Sequence, residues 1–294
     1  MKLLQLFRAN NLIIIILTQC IVKYYMLTHS RLPDLSSHIG LSYFDFSLLV
    51  LATVIIGAAG YLINDYFDYD LDLLSNRRNP YFSKKSILRI YIPVVILGLL
   101  ISLYLAIRLD LVDLFWFYPI ATVLLFFYSS HLKTTGIPAN ILVSLFTAGV
   151  VGIVLLSEYR QGIVLSDSAI AVLYAFMIFA FLVNFYREII KDMEDSDSDK
   201  AFGLNTMPIQ IGIERSKIVS SFIGAITLLL AICFTVFSEF NHTISLLHVI
   251  LFIILPIIFI VYRTLTSSEQ KHFSFISLSL KILMIAGITF LLYP

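Results

Sequence analysis

Asp65, Asp68 and Asp72 follow one another at i, i+3 and i+7 in the stretch NDYFDYDLD, residues 64–72. Asp192, Asp195 and Asp199 repeat that spacing in REIIKDMEDSDSD, residues 187–199. At about 100° per residue these offsets hold three carboxylates within roughly 60° of arc on a helix. Asn64 joins the first face, and Asn184 and Glu188 join the second, while Asp70, Glu194 and Asp197 point elsewhere. Three carboxylates on one stripe repel each other unless a cation lies among them. Hard oxygen donors suit Mg²⁺, which takes one or two carboxylates and completes its shell with water and substrate phosphate. One acidic run beside an apolar segment is ordinarily a solvated loop; two runs with identical spacing are harder to read that way. A calcium loop of the D-x-[DN]-x-[DN]-G type is excluded, because the required glycine is missing.

The elements that must carry these rows are apolar. The chain of 294 residues is 59% hydrophobic and 13% charged, with a mean hydropathy of +0.93, where a soluble domain is about 25% charged. A membrane-spanning helix needs about 20 apolar residues. Nine segments qualify: 11–28, 45–64, 87–107, 113–130, 138–157, 168–187, 217–238, 245–263 and 273–293. The first is interrupted by Gln19 and Lys23, and Pro256 is placed to kink the eighth. No cleavage site follows the apolar run 12–22, which reads as a retained first helix. The fold class expected is therefore an all-α polytopic membrane bundle of nine helices, forming one domain over 1–294.

Loop charge orients it. With the N-terminus cytosolic, fifteen of the 20 Lys and Arg fall in loops on that side, and only Arg31, Arg108 and Arg160 fall opposite. The second and sixth spans then both run inward, so both acidic rows emerge on the cytosolic face. A net charge of +1 gives no sign of a nucleic-acid partner, and Cys20 and Cys233, each in an apolar run, are no disulfide framework. A transporter or channel is the reading from another class. It needs ionisable groups near the bilayer midplane, and Lys281 is the main one; no role is assigned to it here.

The two rows resemble the aspartate-rich motifs of the UbiA superfamily of intramembrane prenyltransferases, N-D-x-x-D-x-x-x-D and D-x-x-D-x-x-x-D. The similarity extends to FRANNL (7–12), like the family's Arg-x-x-Asn entry to helix one, to YSSHLK (128–133), like its Tyr/Lys loop, and to GLNTMPIQIG (203–212). SNRRNPYFSKKS (75–86) departs from the family's N-x-x-R-P-L-x-S-G: Asn76 and Pro80 remain, and either Arg77 or Arg78 takes the arginine's place.

The resemblance implies Mg²⁺-dependent transfer of an isoprenyl group from its diphosphate to an acceptor, in a central cavity that excludes water. It implies two ions, one per row, held by Asp65, Asp68, Asp72, Asp192, Asp195 and Asp199, with Asn64 beside them. Lys133, Arg77, Arg187 and Lys191 are expected to offset diphosphate charge. Tyr128 is expected to position the diphosphate or face the allylic carbon, its alternative being an interfacial belt tyrosine. Arg8 and Asn11 are where an acceptor's carboxylate or phosphate would dock. REIIKDMED is most like the branch that prenylates glycerol-phosphate lipids; an aromatic acceptor of quinone synthesis and a terpene cyclase on the same scaffold stay open.

Overall fold

A computed structural model describes residues 6–29, 40–74, 82–237 and 243–292. Among these the chain is helical. In lipid every backbone N–H and C=O must be satisfied internally, and an apolar helix does so with its own residues. Nine helices correspond to the nine expected spans: α1 Ala9–Thr28, α2 Tyr43–Leu74, α3 Lys84–Arg108, α4 Phe117–Ser130, α5 Ile137–Arg160, α6 Asp167–Ala201, α7 Ile213–Phe237, α8 Leu255–Thr266 and α9 Gln270–Phe290. Eight of the corresponding segments are long and apolar enough to cross a membrane, and α4 is a shorter apolar helix of 14 residues. The protein is thus an integral, multi-pass membrane protein.

Two prolines account for the irregular spans. The expected fourth span, 113–130, is divided into Val112–Phe115 and α4, with Trp116 between them. Pro119 has no N–H to give to the carbonyl of Phe115, so the helical ladder is interrupted there. The eighth span begins as Thr243–His248 and passes through a π-helical turn, Val249–Ile254, before α8. Pro256, at the start of α8, likewise cannot bond back to Phe252, and the wider turn just ahead absorbs the mismatch.

The residues fall into two compact units. The first comprises 1–132 and 152–164, the second 133–151 and 165–294, so α5 lends its opening turns to the second and its end to the first. In the first unit α2 packs on α1, α3 and α4. Gly98 of α3 lets α2 approach closely: a Cβ there would lie 2.7 Å from Ile56. Polar side chains join the same helices, with Gln19 donating to Thr53 at 3.2 Å and Thr53 within 3.0 Å of the Tyr118 hydroxyl. Lys23 donates to Glu158 and, at 2.7 Å, to the Leu41 carbonyl, while the Leu41 N–H donates to Glu158 at 2.9 Å. Gly40 beside them has a φ of +87°, and any Cβ would collide with Glu158 and Ile163. In the second unit α6 packs against α7 and α9, and α8 packs against both of those.

Candidate active site

Both acidic rows lie on helix, not on loop. α2 runs 32 residues and α6 runs 35, each continuing well past the apolar spans expected at 45–64 and 168–187. At 1.5 Å per residue α6 is about 52 Å long, against about 30 Å of hydrocarbon. Its start is fixed by Ser166, whose hydroxyl accepts the Ala169 N–H at 3.1 Å. The rise and rotation that the i, i+3, i+7 spacing requires are therefore present along both rows.

In the first unit Asn64 Nδ2 donates to Asp68 Oδ2 at 2.8 Å. Arg8 donates to Asp65 Oδ1 at 3.2 Å and lies over the Tyr61 ring, 5.1 Å from its centroid. Arg8 has a left-handed backbone, φ 49°, and its carbonyl accepts the Asn11 N–H at 2.8 Å as α1 begins. Asp65 is buried and Asp72 half-buried. Asp70, on the other side of the helix, pairs with Lys84 at 2.6 Å near solvent. The face assignment thus separates Asp70 from Asp65 and Asp68 as the spacing requires.

In the second unit Asn140 Nδ2, from the first turn of α5, donates to Asp192 Oδ2 at 2.8 Å. Ser144 Oγ donates to the Asn140 carbonyl at 2.7 Å and accepts from Asn184 Nδ2 at 3.3 Å, so a polar ladder ties α5 to α6. Thr206 Oγ1 donates to the buried Asp199 Oδ2 at 3.2 Å, and the Leu204 N–H donates to the Asp199 carbonyl at 2.9 Å. Asp195 is half-buried and Asp197 exposed. Glu194 turns away from the row toward α9, where Ser274 donates to it at 2.6 Å. Arg187 donates to Glu188 at 2.8 Å, and Lys191 is half-buried one turn further on.

The remaining expected residues are placed singly. Tyr128 is half-buried in the last turn of α4, and Lys133 is half-buried in the 3₁₀ turn Leu132–Thr135. Behind that turn Gly136 adopts φ +74°, and Gln210 donates to the Thr135 carbonyl at 3.3 Å. Arg77, with Arg78, Asn76 and Pro80, lies outside the described residues.

Asn140, Ser144 and Thr206 were not among the candidates. Thr206 lies in the quoted GLNTMPIQIG stretch and was within reach of the sequence; Asn140 was not, because nothing in a lone Asn states which helix it will meet.

The donors fit magnesium. Both rows offer carboxylate oxygen steadied by neutral amide or hydroxyl donors, and at Asp65 a guanidinium already takes the place of a cation. Among the described residues no three His, Cys, Asp or Glu side chains are arranged to enclose a metal by themselves. A cation at either row would therefore need water and substrate oxygen to complete its shell, which Mg²⁺ commonly takes.

Comparison with known proteins agrees with this chemistry. The model of the UbiA prenyltransferase family matches residues 24–285. A digeranylgeranylglyceryl phosphate synthase of Methanothermobacter thermautotrophicus is 33% identical over 184 residues, 60% of this chain and 60% of that protein. The synthase of Methanosphaera stadtmanae is 28% identical over 251 residues, 82% of this chain and 84% of its own. Among solved structures, one of a digeranylgeranylglyceryl phosphate synthase superposes with a TM-score of 0.67 at 21% identity, covering 99% of this chain and 96% of that one. A UbiA homolog from Archaeoglobus fulgidus bound to DMAPP and Mg²⁺ superposes with a TM-score of 0.61 at 16% identity, over the full length of both. These likenesses establish a common fold.

Proposed function

The chain belongs to the UbiA prenyltransferase family, and from that premise we propose that it transfers an isoprenyl group from a prenyl diphosphate to a glycerol-phosphate lipid, with Mg²⁺, as a single transmembrane domain. The observation that carries the proposal is the pair of rows on helix, with Asn64 set on Asp68 and Asn140 set on Asp192. The acceptor follows the names of the relatives, which are digeranylgeranylglyceryl phosphate synthases.

The reaction breaks the C–O bond between the allylic carbon and the diphosphate. The acceptor hydroxyl then bonds to that carbon and gives up its proton. Bound magnesium supplies Lewis-acid stabilisation of the charge that builds on the departing diphosphate. The chain's own residues supply the rest. Asn64 and Asn140 fix the orientation of carboxylates that would otherwise swing apart, so their oxygens are ready before substrate arrives. Carboxylates of the first row, from Asp65, Asp68 and Asp72, would contribute to holding one ion, and carboxylates of the second, from Asp192, Asp195 and Asp199, would contribute to a second, each together with water and diphosphate oxygen. Lys133, Arg187, Lys191 and Arg77 offset phosphate charge. Tyr128 meets the donor near its reacting carbon, and Arg8 and Asn11 stand on the acceptor side. Apolar helix walls keep water from an allylic cation that it would quench. The positive-inside distribution supports a cytosolic N-terminus and, with it, acidic rows on the cytosolic side.

The test uses purified protein with geranylgeranyl diphosphate, Mg²⁺, and either a geranylgeranyl ether of glycerol phosphate or an aromatic quinone precursor. Mg²⁺-dependent pyrophosphate release with a doubly alkylated glycerol phosphate as product is the expected outcome. Turnover with the aromatic acceptor alone, or a cyclised product without acceptor, would overturn the acceptor assignment.

A further inference from the structure

The short stretch from Lys133 to Asn140 is fastened to the second acidic row at both of the row's ends. It begins in the 3₁₀ turn Leu132–Thr135 and passes through Gly136 into α5. The Gly136 carbonyl accepts the N–H groups of Ala139 and Asn140 at 3.0 and 3.2 Å, so α5 starts from that glycine. Asn140 then donates to Asp192, at one end of the row, at 2.8 Å. At the other end Asp199 accepts from Thr206 at 3.2 Å. Thr206 opens the short helix Met207–Ile211, and the stretch is fastened there a second time. A Cβ on Gly136 would lie 3.0 Å from the Met207 nitrogen and 3.4 Å from the Thr206 carbonyl carbon. The two backbones are therefore in contact, and a φ of +74° suits the position to glycine. All of these residues belong to the second unit.

Gln210 closes the second fastening. Its Nε2 lies 2.6 Å from the Asn205 carbonyl and 3.3 Å from the Thr135 carbonyl. Both partners are acceptors, so the amide must turn its NH₂ toward them, and its two N–H groups supply one bond each. Thr135 ends the turn that carries Lys133, and the last carbonyls of a helical turn take donors from outside it. Gln210 is exposed, so replacing it empties no core.

We propose that Gln210 is a positioning residue: it holds the Lys133 turn against the second row, so that the lysine and the row grip one diphosphate together. The inference rests on the donor half of the reading above, in which Lys133 offsets diphosphate charge. A lysine is a point charge on a flexible stem, so its reach depends on where the backbone beneath it is set. A turn fixed beforehand spares the cost of ordering it when the donor binds. A turn released from Asn205 and Gln210 would leave the row and the lysine to find the diphosphate one at a time.

Binding of a geranylgeranyl diphosphate analogue with sulfur as its bridging atom, in Mg²⁺ and without acceptor, tests this on the full chain in detergent. Gln210→Met keeps the length of the side chain but has no N–H to donate. It should weaken binding about three- to tenfold, the scale of one hydrogen bond. Lys133→Met should weaken binding about tenfold or more. Adding Gln210→Met to Lys133→Met should cost less than about twofold further, because the glutamine acts through the lysine. Unchanged binding in Gln210→Met overturns the proposal. So does a full three- to tenfold loss on top of Lys133→Met, which is the mark of a general structural role. An unsubstituted protein that does not bind the analogue overturns the prenyl-transfer reading and this inference with it. Turnover of an aromatic acceptor alone removes only the glycerol-phosphate assignment and leaves the role of Gln210 standing.

Discussion

Alanine at Asp68 or at Asp195 is expected to abolish prenyl transfer, lowering kcat by about a thousandfold or more, while alanine at Asp70 or Asp197 costs about threefold or less. The contrast comes from the faces of two helices. Asp68 accepts from Asn64 on the row face of α2, whereas Asp70, two residues on, is engaged by Lys84 near solvent. An exposed pair of that kind contributes about 0–1 kcal/mol. On α6 Asp195 is half-buried and Asp197 exposed. On the proposed mechanism these carboxylates would hold a metal against the leaving group, so removing one takes away stabilisation found only in the transition state. Mg²⁺-dependent pyrophosphate release from the four purified variants measures it. Equal losses in all four would show that the helical face does not govern the chemistry.

The second large effect is on stability. Lys23→Met should destabilise the protein by about 3–5 kcal/mol, because it leaves a charge buried and unpaired. Glu158 is fully buried and Lys23 nearly so, and the lysine also binds the Leu41 carbonyl. Adding Glu158→Gln to Lys23→Met should recover most of the loss: the amide is neutral and its oxygen still accepts the Leu41 N–H. Unfolding in mixed detergent micelles compares the three proteins. A single variant within about 1 kcal/mol of the parent, or a double variant no better than the single, would show that the pair is not a desolvated clamp.

Much of this was legible in the residues, and the exceptions have physical causes. Spanning helices are legible because lipid imposes length and hydrophobicity on each one separately, and among the described residues each of the nine expected segments is helical over most of its length. The acidic rows were legible because a helix converts spacing into direction, so Asp70 and Glu194 were set apart from their neighbours on sequence alone. What escaped was of another kind. The break at Trp116 needed the missing N–H of Pro119 to be weighed against a strongly apolar run, and hydropathy does not register a hydrogen bond. Asn140 and Ser144 escaped because their meaning lies in contacts with α6, 52 and 40 residues away. Lys23 looked like a flaw in the first span until Glu158 and Leu41 were beside it. Pairing across distant segments is set by packing, and one sequence without its packing states only half of each pair.

The length of α6 has a consequence for how the two products part. Four turns of charged helix stand beyond its apolar stretch, so on the proposed mechanism bond breaking would take place at the edge of the oil. Freed pyrophosphate, with no apolar part, then dissolves directly into the aqueous phase. The elongated lipid, nearly all hydrocarbon, drifts sideways among its neighbours. Departure by such unlike routes would discourage the pair from meeting again.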